Sequence, residues 1–175
     1  KINNIQTIVI LIIKTNNQYT FNIRSMDQKN ILIFGVNGLV GSSCLRVLSV
    51  EENFNIIPSN RKDTDLFSYS ETKKTIENIN PDIIINAAAK VGGILANNTQ
   101  RTEFILENLK ININILESCI DRPQTKIINL GSSCIYPLNA PNPIKESSFM
   151  EGKLEETNSP YAMAKITAIE IGNSL

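Results

Sequence analysis

Tyr161 and Lys165 stand four positions apart in the segment SPYAMAK, in a chain of 175 residues that contains no histidine. Histidine is the usual proton carrier near neutral pH, so proton transfer here falls to other groups. A tyrosine beside a lysine is one such pair. Residues four apart on a helix bring their Cβ atoms to about 5–6 Å, close enough for an ammonium to favour the phenolate of a side chain whose ordinary pKa is about 10. A phenol tuned in this way can give a proton to a carbonyl oxygen while hydride arrives at the carbon. Ser132, in LGSSCIYP, is placed to hydrogen-bond the same oxygen. Taken alone, Tyr-x-x-x-Lys also describes an ordinary helix start with a surface aromatic and a surface lysine. Its meaning depends on the elements that carry it.

Those elements follow a regular order from Lys29 onward. NILIF, ended by Gly35, is a short apolar run that predicts a fully buried strand. Residues 38–50 carry Leu39, Val40, Leu45, Val47 and Leu48 at mostly helical spacing. FNIIP predicts a second strand, cut by Pro58, and YSETKKTIENI an amphipathic helix closed by Asn80-Pro81. DIIINAAA reads as a third strand ending in small residues, and KIINLGSS as a fourth. Between them, residues 101–120 predict a long helix through Phe104, Ile105, Leu109, Ile113, Leu116 and Ile120. Strands alternating with helices define an α/β fold, a Rossmann-like doubly wound parallel sheet. The stretch 134–158, with Pro137, Pro141 and Pro143, interrupts the rhythm just before the Tyr161 helix. Irregular segments of that length are usually functional, and this one lies beyond the carboxyl end of a strand, where such sheets bind ligands.

GVNGLVG supplies Gly35, Gly38 and Gly41 between the first strand and the first helix. Glycines there permit a tight turn, close approach of a pyrophosphate and close helix packing, and the helix start offers free N–H groups and a positive dipole end. The spacing is G-x-x-G-x-x-G, and its strand-turn-helix context gives it the dinucleotide reading. At the end of the second strand, PSNRKDTDL places Arg61 and Lys62 where an adenosine ribose is read. A basic residue there suits the extra phosphate of NADP, and Arg61 can grip it with a planar fork. Asp63 is the acidic alternative, further along the loop, and solvation of both basic side chains is the plain one. Ala87, Ala88 and Ala89 would let a cofactor lie close to the backbone.

Composition narrows the setting. Basic and acidic residues balance at 17 each, which points to neither a nucleic-acid face nor a polyacidic partner. Cys44, Cys119 and Cys134 are scattered and odd in number, which suits a reducing, cytoplasmic compartment rather than a disulfide framework. With no histidine and no CxxC pair, a zinc site lacks ligands, and no metal is expected. The apolar run from Ile8 to Ile13 is far shorter than the ~20 residues of a membrane span, and no small-residue cleavage site follows it. Residues 1–25 are expected to be a non-native or disordered extension ahead of Met26. Residues 26–175 are expected to form an NADP-binding domain that stops within a helix, so the chain reads as a fragment.

The glycine turn, the serine after the fourth strand and Tyr-x-x-x-Lys together resemble the extended short-chain dehydrogenase/reductase superfamily. Within it, NAAAKVGGILANN, LGSSCIYP and GKLEETNSPYAMAK resemble the GDP-L-fucose synthase family over about residues 29–175. That resemblance implies NADP(H) as cofactor and a GDP-sugar as substrate. Its C3 and C5 would be epimerised through enol intermediates and its C4 ketone then reduced. It implies Tyr161 as the proton donor, Lys165 and Ser132 beside it, and Cys134 as an acid/base in epimerisation. It implies cofactor contacts from Gly35, Val36, Asn37, Gly38, Leu39, Val40 and Gly41, from Arg61, Asp65 and Leu66, and from Ala87, Ala88 and Ala89. Leu130, Gly131, Ser132, Ser133 and Lys165 complete that set. It further implies a partner histidine and a substrate region beyond Leu175, an inactive fragment, and a homodimer when the protein is full length. Cys44 and Cys119, on predicted helices, read as core residues.

Overall fold

The structure, a computed structural model, describes residues 10–11 and 28–175. Four parallel strands form its centre: β2 (Lys29–Phe34), β3 (Phe54–Ser59), β4 (Ile83–Asn86) and β5 (Lys126–Leu130). A two-residue strand β1 (Ile10–Leu11) pairs antiparallel with β5, giving the order β1-β5-β4-β2-β3. β1 falls in the stretch expected to stand outside the domain; the rest of residues 1–25 lies outside the described residues.

Alternation along β2 assigns its two faces. Leu32 and Phe34 pack with Ile76, Ile84, Ile111 and Ile115, under the helices α2 (Tyr69–Ile79) and α4 (Arg101–Glu117). Ile31 and Ile33 pack with Ile85 and with Cys44, Leu45 and Leu48 of α1 (Leu39–Leu48) on the other face. Both faces are covered, which is why the strands read as continuous apolar runs rather than alternating ones. Local chemistry sets the helix ends. Ser68 caps α2 by accepting from the Glu71 N–H at 3.4 Å, and Asn80 ends it in the left-handed region at φ 49°.

Several elements depart from the sequence reading. β3 runs through Pro58 to Ser59, with Pro58 opposite Ile33. It is the edge strand of the sheet, the position in which a missing N–H is tolerated. β4 stops at Asn86, and Ala87, Ala88 and Ala89 continue as loop. A short helix, α3 (Ile94–Thr99), precedes α4. α4 ends at Glu117, so Cys119 lies in the following turn, though it is buried in the core as expected of it. The buried stripe of α4 is also rotated: it runs through Phe104, Asn108, Ile111, Asn112 and Ile115, while Ile113 and Ile120 are exposed. The irregular stretch before α5 (Ser159–Ser174) contains two single 3-10 turns, at Ser133–Ile135 and Glu146–Ser148. Ile135, Tyr136, Phe149 and Leu154 pin it against Ile166 and Ile169 of α5.

Candidate active site

The turn from β2 into α1 is built by backbone that side chains would obstruct. Gly35 sits at φ +79°, and a Cβ there would lie 2.6 Å from the Ala88 nitrogen. A Cβ on Gly41 would lie 2.2 Å from the Gly35 carbonyl oxygen, so α1 packs directly on the turn. Gly38 is the N-cap of α1 and contributes no capping side chain, which leaves the helix start open. Leu39, its first residue, is 77% exposed. Gly35, Val36, Asn37, Gly38, Leu39, Val40 and Gly41 thus form one cradle beside Ala87 and Ala88. This arrangement fits a pyrophosphate, which needs bare backbone and a positive helix end.

At the end of β3 the competing readings of Arg61 and Asp63 separate. The Asp63 carboxylate accepts from the Asn60 N–H at 2.9 Å and so closes its own turn. Asn60 Oδ1 accepts from the Lys62 N–H at 2.8 Å, and the Ser59 hydroxyl donates to Thr64 Oγ1 at 3.1 Å beneath them. Arg61 is exposed, and among the described residues no carboxylate pairs with its guanidinium. Asp65 and Leu66 follow as a second turn: Asp65 Oδ1 accepts from the Phe67 N–H at 2.9 Å, and the Leu66 carbonyl accepts from Asn114 Nδ2 at 2.8 Å.

The proton-transfer candidates meet at the end of β5. Leu130 ends the strand, Gly131 follows, and the Ser132 hydroxyl accepts from the Cys134 N–H at 3.3 Å, starting the turn that includes Ser133. Facing them is the first turn of α5. Glu155 prepares that turn by accepting from Thr157 Oγ1 at 2.6 Å and from the Asn158 N–H at 2.9 Å; the Thr157 bonds come first in holding its carboxyl below the ordinary range. Pro160 stands in the first turn of the helix, and Arg101 of α4 donates to the Glu156 carbonyl at 2.8 Å and to Ser159 Oγ at 3.2 Å. Tyr161 and Lys165 then face the sheet.

The electrostatics correct one expectation. The Tyr161 phenol is raised above its ordinary value of 10.0, by burial first and by the Cys134 thiolate second; the Ser132 hydroxyl opposes them. The lysine is not what sets the phenol here. Lys165 is 4% exposed, and its Nζ donates to the Leu130 carbonyl at 2.8 Å while lying 5.8 Å from the centre of the Tyr161 ring. Burial lowers its pKa to about 8. The site therefore pairs a phenol held protonated with an ammonium that titrates near pH 8. Cys134 is half-buried and close enough for its charge to act on the phenol. Cys119, by contrast, is pushed up to about 11 by burial and stays a thiol.

Sequence reasoning missed the polar network underneath. Asn86 Nδ2 donates to Asn129 Oδ1 at 2.8 Å and to Asn112 Oδ1 at 3.2 Å, and Asn129 Nδ2 donates to Asn112 Oδ1 at 3.0 Å. Asn112 Nδ2 donates to the Asn108 carbonyl at 2.7 Å. All four are buried. A signal existed: Asn108 and Asn112, poor helix formers, stand four apart among apolar residues of α4.

A parallel sheet, a glycine cradle at its first turn and a Ser-Tyr-Lys group at the end of β5 define a nucleotide-binding enzyme of Rossmann type. The chain belongs to the NAD dependent epimerase/dehydratase family, whose sequence pattern it matches over residues 31–175. It is 42% identical over 146 residues to a GDP-L-fucose synthase of Sinorhizobium fredii, covering 83% of this chain and 46% of that protein. A GDP-L-colitose synthase of Yersinia pseudotuberculosis is 37% identical over 141 residues, or 81% and 46% of the two chains. Among solved structures, a GDP-L-fucose synthetase from Naegleria fowleri bound to NADP superimposes with a TM-score of 0.71. It is 31% identical, over 83% of this chain and 46% of that one. The chain thus spans less than half the length of these relatives. Among the described residues, no cluster of three His, Cys, Asp or Glu could hold a metal, and no helix is long and apolar enough to cross a membrane.

The buried ammonium makes stability depend on pH. Between about 8 and its ordinary 10.5, the unfolded chain binds more protons at Lys165 than the folded one. Folding is therefore disfavoured in full below pH 8 and relieved as pH rises to 10.5, by about 3 kcal/mol at 1.36 kcal/mol per pKa unit. Denaturant unfolding at pH 7 and pH 10.5 should show this increment in the wild type and lose it in Lys165→Met. An equal pH increment in both proteins would contradict the assignment.

Proposed function

We propose that this chain is the NADP(H)-binding part of an epimerase/reductase that converts a GDP-linked 4-keto-6-deoxymannose to GDP-L-fucose. The observation that carries the reading is the gathering of Ser132, Cys134, Tyr161 and Lys165 at one strand end, within sequence similar to GDP-L-fucose synthases. The glycine cradle would hold the pyrophosphate, Arg61 the 2′-phosphate, and Asp65 and Leu66 the adenine side. Ala87, Ala88 and Ala89 and residues 130–133 would line the remaining length. When bound, NADPH supplies the hydride.

The chain's own residues account for the protons. A C4 ketone acidifies the C3 and C5 hydrogens of the sugar. Cys134 Sγ exchanges protons at those carbons, with a partner acid/base from outside this chain. Burial, with a smaller contribution from Cys134, holds the phenol of Tyr161 protonated, which is the state reduction needs. Tyr161 Oη then gives its proton to the C4 oxygen, with the Ser132 hydroxyl bonded to that oxygen. The Lys165 ammonium, within 5.8 Å of the ring, offsets the negative charge left on the phenolate.

The similar GDP-L-colitose synthase favours a second reading, a different GDP-sugar epimerase/reductase with the same site. A binding protein without activity would have no need of both Tyr161 and Lys165. The free thiol chemistry suits a reducing, cytoplasmic setting. In the whole protein we place a homodimer contact on α4 and α5. Leu106, Ile113 and Met163 are exposed there beside a depression lined by Arg101, Ile105 and Pro160. Sedimentation velocity of the full-length protein at micromolar concentration should show a dimer, and a monomer would contradict this placement.

Cofactor choice rests on Arg61. In the full-length protein Arg61→Ala should weaken NADPH binding by about 1.5–3 kcal/mol, the range for hydrogen bonds to charged groups, and leave NADH binding unchanged. A fluorescence titration showing equal loss for both nucleotides would remove the 2′-phosphate role. The two half-reactions should also come apart. Tyr161→Phe should lower NADPH oxidation by ~100-fold or more, while solvent deuterium still enters C3 or C5 of the keto sugar. Cys134→Ser should suppress that exchange and leave NADPH affinity intact. Exchange at the wild-type rate in the serine variant would reduce Cys134 to a packing residue.

A further inference from the structure

We propose that Phe104 is a positioning residue that fixes the tilt of the Tyr161 ring against the turn at residues 90–93, an inference that rests on the catalytic reading of Tyr161. Phe104 has no reactive atom, yet three parts of the site converge on its ring. The Tyr161 ring meets it edge to face, with centroids 6.4 Å apart and planes at 79°. Lys90 Nζ lies 5.6 Å from its centroid and pairs with Glu107 Oε1 at 3.2 Å. A Cβ built on Gly92 would stand 3.0 Å from Phe104 Cζ, so the turn approaches the ring as closely as a glycine allows.

Both sides of this contact are held. Asn108, fully buried one turn along α4, accepts from the Lys90 N–H at 3.0 Å and donates to the Lys90 carbonyl at 3.0 Å and to the Phe104 carbonyl at 2.7 Å. Asn97 of α3 donates to the Gly92 and Gly93 carbonyls at 2.8 and 3.1 Å. The turn cannot shift without moving the Phe104 ring, and the ring, 2% exposed, has nowhere to go but toward Tyr161 or into the core. The phenol oxygen sits at the far end of a rigid side chain, so a small tilt about its Cα–Cβ bond displaces it most. A misplacement of about 1 Å in reacting groups can cost ~100-fold in rate.

The test uses the full-length enzyme with NADPH and GDP-4-keto-6-deoxy-D-mannose. Phe104→Leu keeps an apolar side chain and removes the ring edge. Its kcat for NADPH oxidation should fall about tenfold, with the NADPH Kd and the rate of solvent deuterium exchange into the sugar within twofold of wild type. Gly92→Ala, whose methyl would stand 3.0 Å from both Phe104 Cζ and Ala96 Cβ, should give the same split and should cost less in the Phe104→Leu background than in the wild type. A folded Phe104→Leu with wild-type kcat overturns the proposal, as do equal losses in oxidation and exchange or additive effects of the two changes. If Tyr161→Phe itself retains NADPH oxidation, the catalytic reading falls and this one with it. If Tyr161→Phe is inactive while Phe104→Leu and Gly92→Ala are normal, the positioning role alone fails.

Discussion

The site depends on a constraint set below it: the buried amides of Asn86, Asn112 and Asn129 must satisfy one another. An unpaired buried amide costs about 1–3 kcal/mol, and these three leave few alternatives within reach. Asn86 ends β4, Asn129 is the penultimate residue of β5, and Asn112 comes from the middle of α4. Their mutual bonds therefore fix the carboxyl ends of two strands and the rotation of one helix at once. From these ends the functional segments emerge. Ala87 and Ala88 leave β4 against the glycine turn. Leu130, next to Asn129, presents its carbonyl to Lys165, and Ser132 follows two residues later. On α4, the rotation that buries Asn112 also turns Asn108 toward Lys90 and Phe104 toward Tyr161.

What the site then does with charge follows from burial. A protonated tyrosine and a lysine of pKa about 8 occupy the same first two turns of α5. Burial disfavours the charged form of each, so the ground state holds one ammonium, bonded to a carbonyl, and a neutral phenol. A phenol in this state is an acid ready to donate. In the proposed reaction the lysine contributes after the proton leaves, when the phenolate beside it is the charge to be balanced. The thiol of Cys134 enters the same balance, because its ionised form and a phenolate would repel each other. The order of events in the proposed reaction, with epimerisation before reduction, suits that repulsion.

The sheet, the glycine turn and the Tyr161 helix were legible because each rests on local chemistry: apolar runs, glycines at a strand end, a proline at a helix start. The packing roles of Gly35 and Gly41 could be read from spacing, and the structure adds which atoms their missing side chains would strike. The asparagines were not legible in the same way. Asn108 and Asn112 look like the polar side of an amphipathic helix, and a sequence offers no view of Asn86 and Asn129 across 17 to 43 residues of chain. Apolar periodicity placed Ile113 and Ile120 inward; the asparagine pairing overrode it at Ile113, and Ile120 falls in the turn beyond α4. The direction of the Tyr161 pKa was misjudged for a related reason: its distance from Lys165 follows from helix geometry, but its burial is a property of the whole site. Pro58 was read as a terminator because edge position, like burial, is set by strand order.

Isotope tracing in the full-length enzyme tests the proposed reaction, in which sugar protons exchange with solvent and the C4 ketone takes its hydride from the nicotinamide. GDP-4-keto-6-deoxy-D-mannose is converted in deuterium oxide with unlabelled NADPH, and again in water with NADPH deuterated on the nicotinamide C4, and the sugar is analysed by mass spectrometry and NMR. The account predicts solvent deuterium at C3 and C5 in the first reaction and nicotinamide deuterium at C4 alone in the second. Solvent deuterium bound to C4, or a product carrying no nicotinamide label, would contradict it.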